Sequence, residues 1–124
     1  MSCGSILHLA LGGGSDGLEQ HLVNGGWELV QANDLGAARR MQAQRRFPVG
    51  LMSIGSELPA PIADIEACVN GPGGSQWVAM CDAQALESPA FRDLVLDSFF
   101  DHIVRPMQWH ELDIVMEHAC RRGL

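Results

Sequence analysis

A chain of 124 residues has the size of one compact domain, and 47% hydrophobic with 19% charged residues excludes a disordered polymer. The formal net charge is −7 and all eight basic residues are arginines, which argues against direct nucleic-acid binding, because phosphate neutralisation needs a positive face. No apolar run approaches the roughly 18 residues of a membrane span, and Met1-Ser2-Cys3-Gly4 lacks the basic start and apolar core of a signal peptide; a soluble, cytoplasmic protein without a membrane partner is expected.

Ile6 to Leu11 is an apolar run closed by Gly12-Gly13-Gly14, the pattern of a buried strand ending in a tight loop. Ser15 or Asp16 offers an N-cap for a helix carrying Leu18 and Leu22, which Asn24-Gly25-Gly26 stops. Trp27 to Ala32 alternates as a second strand. Asn33 or Asp34 caps a helix with Leu35, Ala38 and Met41 on one face, ending near Arg45-Arg46.

Val49 to Ile54 reads as a third buried strand. Pro61 opens a helix with the stripe Ile62, Ile65 and Val69, broken by Asn70-Gly71-Pro72-Gly73-Gly74. Trp77 to Cys81 is a fourth strand, and Ser88-Pro89 starts a helix bearing Phe91, Leu94 and Val95. Phe99 to Val104 is a fifth strand ended by Arg105-Pro106. Trp109, Leu112, Val115, Met116 and Ala119 then mark a last amphipathic helix.

Strand and helix alternate five times without an internal repeat. Such alternation implies parallel strands joined by right-handed crossovers with helices on both faces. The expected architecture is α/β and flavodoxin-like: a five-stranded parallel sheet of order 2-1-3-4-5 in a single domain over residues 1–124. Ligands or chemistry then belong at the C-terminal strand ends, in the loops after Leu11, Ser53 and Cys81.

Cys3, Cys68, Cys81 and Cys120 form no CxxC pair and suggest neither a zinc site nor a disulfide framework. His8, His21, His102, His110 and His118 are equally scattered, and no metal site is expected. The cluster Arg39, Arg40, Arg45 and Arg46 reads as a solvated helix end, with a small docking patch as the sharper alternative. Gly12, Gly14 and Gly17 fit the letters of a dinucleotide fingerprint, but no ribose-binding acid closes the second strand, which ends Gln31-Ala32-Asn33-Asp34. Ser53 and Cys81 as a nucleophile pair lack any histidine placed beside them by the sequence.

The second unit, Trp27-Glu28-Leu29-Val30-Gln31-Ala32-Asn33-Asp34 leading into Ala37-Ala38-Arg39-Arg40-Met41, and the fifth, Asp101-His102-Ile103-Val104-Arg105-Pro106 with Glu111-Leu112, carry a family pattern. Together with the five-unit order they resemble bacterial response-regulator receiver domains of the CheY type over nearly the whole chain. The resemblance implies an acidic, Mg²⁺-holding pair after the first strand, an acceptor aspartate ending the third, a Ser or Thr ending the fourth and a lysine ending the fifth. Here those positions fall on Ala10, Leu11, Gly12 and Gly13, on Ser53, on Cys81 and on Arg105. A hard cation wants carboxylate oxygens, and a neutral hydroxyl needs a base or metal to activate it. Aspartyl phosphorylation by the usual route is therefore expected to be lost.

The glycine loop and the Arg105-Pro106-Met107-Gln108-Trp109 helix start are further similar to the N-terminal domains of VpsR- and FleQ-type regulators, of the NtrC group of sigma-54-dependent transcription activators. That implies a pseudo-receiver with Gly12, Gly13, Ser53, Cys81 and Arg105 as a degenerate pocket, no catalytic residue and no cofactor. Its implied partners are a second copy and, if the chain is a fragment, the ATPase and DNA-binding domains of the same protein. Receivers commonly pair through the fourth helix, fifth strand and fifth helix, which here offer Arg92, Asp93, Asp97, Asp101, Arg105 and Glu111, with apolar area from Leu96, Val115 or Met116. Arg105 is also expected to pair with Asp82 near the vacant pocket. Two other readings stay open: a sensor for a nucleotide-like anion such as cyclic di-GMP at the Gly12 to Asp16 loop, and a stand-alone flavodoxin-like enzyme.

Overall fold

The computed structural model describes residues 4–12, 16–71 and 73–123. β1 (Ser5–Ala10), β2 (Glu28–Ala32), β3 (Val49–Ser53), β4 (Gln76–Asp82) and β5 (Asp101–Arg105) alternate with α1 (Leu18–Asn24), α2 (Leu35–Gln44), α3 (Ile62–Val69), α4 (Pro89–Ser98) and α5 (Trp109–Gly123). The strands form one sheet in the order β2-β1-β3-β4-β5, every neighbouring pair parallel. The flavodoxin-like order expected from the alternation is the order observed. No helix among the described residues is long and apolar enough to cross a membrane.

Both faces of the sheet are covered, so its central strands carry almost no polar residues. Leu7, Leu9, Met52, Trp77, Ala79 and Cys81 pack with side chains of α2, α3 and α4. Ile6, Leu51, Val78, Met80 and Ile103 pack with Leu18 and Leu22 of α1 and Leu112, Met116, Ala119 and Cys120 of α5. The period of two along each strand divides these sets.

The local signals work as their chemistry requires at two helix starts. Asp34 accepts from the Ala37 amide at 2.7 Å to start α2, and Ser88 accepts from the Phe91 amide at 3.3 Å with Pro89 behind it to start α4. The start of α1 differs from expectation. Gly17 holds the position before the helix with a φ of 80°, and no side chain caps it; a residue with a Cβ is strained there, and Ser15 lies outside the described residues. Several boundaries also shift, and one short element is added. β4 runs on through Asp82, β5 starts at Asp101, and a 3₁₀ turn over Ala83–Glu87 precedes α4.

The cysteine reading needs one correction: Cys120 is disulfide-bonded, since separation along the chain says little about separation in space. Cys68 and Cys81 are free and buried, and burial pushes the Cys68 thiol up to about 11. The arginine cluster also divides. Arg45 pairs with Glu28, bonds Ser5 and covers the Phe47 ring, and Arg46 donates to the Gly123 carbonyl. Arg39 and Arg40 are exposed on α2.

Trp77 spans the α2–α4 core, 1% exposed, its indole N–H donating to Gln42 at 3.4 Å. It lies over Gly50, where an added Cβ would sit 2.6 Å from the ring carbons. Glycine to alanine in a strand ordinarily stabilises, through the unfolded chain. Here the opposite sign is expected: Gly50→Ala should cost about 1–3 kcal/mol because the enclosed indole has nowhere to move. Urea unfolding checks this, and a variant as stable as the parent would refute the packing argument.

Candidate functional site

The C-terminal ends of β1, β3, β4 and β5 meet at one edge of the sheet. There the ladder continues past the strands, with Leu11 N–H donating to the Ser53 carbonyl at 3.0 Å and Ile54 N–H to the Met80 carbonyl at 2.8 Å. The extra residue of β4 brings Asp82 into register with Arg105 of β5. Alternation puts Asp82 on the face of Val78 and Met80, and Arg105 on the face of Ile103, so both point to the α1–α5 side.

The expected Arg105–Asp82 pair is present. Arg105 Nε donates to Asp82 Oδ1 at 3.1 Å, another of its nitrogens donates to the Ile54 carbonyl, and Ser56 Oγ donates to Asp82 Oδ2 at 3.0 Å. The Arg105 hydrogen bond, with help from Ser56, holds the Asp82 carboxyl below the usual carboxylate range. The Arg105 side chain is only 10% exposed. Its Nη1 is buried without a hydrogen-bond partner.

The other expected pocket residues do not converge on this pair. Cys81 points to the opposite face, into the α2–α4 core, and burial raises its thiol pKa more than nearby Arg105 lowers it. Gly12 is exposed, and a Cβ there would make ordinary contact with the Gly55 amide at 3.6 Å; Gly13 lies outside the described residues. Ser53 is buried and already partnered. His8 Nε2 stands 2.9 Å from Ser53 Oγ, both residues 4% exposed. No spacing in the chain hints at a histidine beside Ser53, but parallel pairing supplies one: Ala10 is opposite Ser53, so His8 is the diagonal neighbour on the same face.

A hard divalent cation does not fit this edge. Ala10 and Leu11 offer no side-chain oxygen, and both oxygens of Asp82 already accept from Arg105 and Ser56. Among the described residues no three His, Cys, Asp or Glu side chains stand together as a metal site.

In front of the Arg105–Asp82 pair lies a cavity of about 450 Å³ lined by Asp16, Asp82, Arg105, Pro106, Met107 and Trp109. Trp109 is 37% exposed rather than a core residue of α5. It stacks on His21 of α1 with ring centroids 4.5 Å apart, and His21 Nε2 is 2.7 Å from Asp113 of α5. Arg92, Asp97, Asp101 and Glu111, expected on the pairing edge, are exposed. Arg105, expected there too, is withdrawn into the cavity wall by its own bonds.

A family model described as VpsR domain matches residues 2–117. The chain belongs to the VpsR domain family. This VpsR domain has the receiver fold: it superposes on a CheY-like response regulator receiver domain from Methanospirillum hungatei JF-1 with a TM-score of 0.73 at 17% identity, covering 98% of this chain and 97% of that one. The receiver domain of NtrC4 from Aquifex aeolicus gives 0.76 at 12% identity, covering 98% and 100%. The receiver domain of a sensor histidine kinase from Pseudomonas aeruginosa PAO1, with a magnesium ion in its active-site cleft, gives 0.71 at 19%, covering 96% and 99%. No curated protein matches the sequence.

His8 is expected to make the folded VpsR domain less stable in acid. Burial holds its imidazole below the ordinary 6.5, outweighing an opposite pull from Glu19. Below about pH 6.5 the unfolded chain takes up a proton at His8 that the folded chain resists, so stability should fall with pH there and be flat above it. His8→Gln keeps an amide that can bond Ser53 and does not titrate. Its urea midpoint between pH 7.5 and 5 should fall less than the parent's, and parallel curves would rule out His8 as the source.

Proposed function

We propose that this domain is the non-catalytic regulatory module of a bacterial signal-transduction transcription regulator, a pseudo-receiver of a sigma-54-dependent activator. It works by dimerisation and by contacts to neighbouring ATPase and DNA-binding domains, without aspartyl phosphorylation. The observation that carries this reading is the pairing of Arg105 with Asp82 and the Ile54 carbonyl. By resemblance, a working receiver keeps a lysine at this position, free to meet the phosphoryl group on an aspartate at the end of β3. Here the cation already has its anion, and the acceptor position carries Ser53 bonded to His8. Charge-assisted hydrogen bonds of this kind hold one geometry, so the strand ends stay in one charge arrangement.

Two outcomes follow. Acetyl phosphate with Mg²⁺ should leave no acid-labile phosphate on the protein by mass spectrometry, and Mg²⁺ should not raise the melting temperature, because an ion that does not bind the folded state cannot stabilise it. Phosphate on the chain, or a Mg²⁺-dependent shift, would overturn the reading of the pocket.

The output face is the α4–β5–α5 edge. Met116 is buried in the core and contributes nothing to it, whereas Leu96 of α4 is 70% exposed and Ile114 of α5 is 52% exposed. Exposed ion pairs among Arg92, Asp97, Asp101 and Glu111 supply only about 0–1 kcal/mol each, so these apolar side chains carry the contact. A weak dimer is expected in sedimentation velocity, shifted to monomer by Leu96→Arg. Equal association by parent and variant, or a strict monomer at millimolar parent, would count against this face.

A further inference from the structure

The sheet sorts the four cysteines of the chain. Cys68 and Cys81 are free thiols buried on the α2–α4 side. Cys120 is fully buried on the other side, in the α1–α5 core, and it is disulfide-bonded. With Cys68 and Cys81 free, the one other cysteine in the chain is Cys3, which lies outside the described residues. The described backbone beside each of the two gives an independent observation. Pro48, just before β3, is approached from two directions: a Cβ at Gly4 would lie 3.4 Å from its Cγ, and one at Gly123 only 2.1 Å from its carbonyl oxygen. Gly4 is covalently next to Cys3, and Gly123 is less than one helical turn beyond Cys120. Both glycines are held where they stand, since the Gly4 carbonyl accepts from the Glu28 amide at 3.3 Å and the Gly123 carbonyl accepts from Arg46. Consecutive Cα atoms are about 3.8 Å apart and a disulfide bridges Cα atoms about 4.4–6.8 Å apart, so neither segment has far to reach.

We propose that Cys120 is joined to Cys3 and that the pair is a redox-sensitive clasp, tying the end of α5 to the start of β1 when oxidised and releasing it when reduced. Cys120 is sealed from solvent, so exchange begins at Cys3. On oxidation by glutathione disulfide, the Cys3 thiolate displaces one glutathione, the Cys120 thiolate displaces the second from the mixed disulfide, and two glutathione molecules leave with the two thiol protons. Dithiothreitol reverses this, returning two electrons and two protons to the pair as it closes to its own cyclic disulfide. In a reducing compartment the disulfides that occur are chiefly those that cycle, which suits a regulatory module of the cytoplasm. Once reduced, the last turn of α5 is held only by its packing on Pro48 and the core and by the Arg46 bond. The clasp uses neither the Arg105–Asp82 pair nor the α4–β5–α5 edge, so its failure leaves the regulatory reading standing.

Trypsin separates the cysteines, because the chain has no lysine and Arg105 precedes proline: residues 1–39 carry Cys3, 47–92 carry Cys68 and Cys81, and 93–121 carry Cys120. The chain is oxidised with glutathione disulfide, blocked with N-ethylmaleimide in urea and digested without reductant. Mass spectrometry should then show 1–39 linked to 93–121, with Cys68 and Cys81 carrying maleimide. A link from 93–121 to 47–92, a link to a second 93–121, or no link would overturn the pairing. Across glutathione buffers, from about a hundredfold excess of the thiol to a like excess of the disulfide, the linked species should rise and fall reversibly; a chain linked in all of them is no switch. Release of α5 is read by amide exchange at residues 117–123, at times when the β3 amides have not exchanged in either state, so that global unfolding contributes nothing. Exchange there should be about tenfold or more slower in the oxidised parent than in the parent treated with dithiothreitol, and Cys3→Ser should match the reduced parent with or without reductant. Equal exchange in the two states of the parent, or a response to reductant that survives in Cys3→Ser, would overturn the clasp.

Discussion

A parallel sheet covered on both faces leaves polar side chains only two places, the strand ends and the outer surfaces of its helices. Most of this structure follows from that constraint. β3 is buried along its whole length and β4 along all but its end residues, so the groups able to do chemistry gather where β1, β3, β4 and β5 stop. The two ionised groups there are placed by register alone. One more residue of β4 brings Asp82 opposite Arg105, and each needs the other, since a guanidinium nine-tenths out of water and lacking a carboxylate would be strongly disfavoured.

The same constraint explains which parts of the fold were legible in the sequence. The apolar run Ile6 to Leu11 and the alternating run Trp27 to Ala32 follow from strand burial and side-chain period, and Ser88-Pro89 and Asp34 from cap chemistry, so five units and their order could be read from the sequence. The end of β4 could not. Trp77 to Cys81 is apolar, and Asp82 looks like the first loop residue until its pairing with Arg105 in a neighbouring strand is known. His8 was hidden for a related reason. Within a run of five apolar residues it resembles a tolerated exception, and only the β1–β3 register, which no local pattern encodes, sets it beside Ser53. Cys81 misled in the opposite direction: it ends an apolar run at the expected place, yet the period of two turns it away from Ser53 and Arg105.

Ser53 and His8 fill the end of β3 with a buried, uncharged hydrogen-bonded pair. An aspartate at the end of β3 would need compensating cations or a metal at the same edge. A serine bonded to a neutral imidazole needs neither, although His8 Nδ1 is left buried without a partner. The ion pair at this edge instead joins β4 and β5, where Asp82 is one-third exposed and its desolvation is modest.

Trp109 joins this edge to the rest of the molecule. It opens α5, lines the cavity, and stacks on His21 of α1 while His21 reaches Asp113 one turn further along α5. The helix that carries Glu111 and Ile114 on its outer face is therefore fixed at its first turns by contacts that also form the cavity wall.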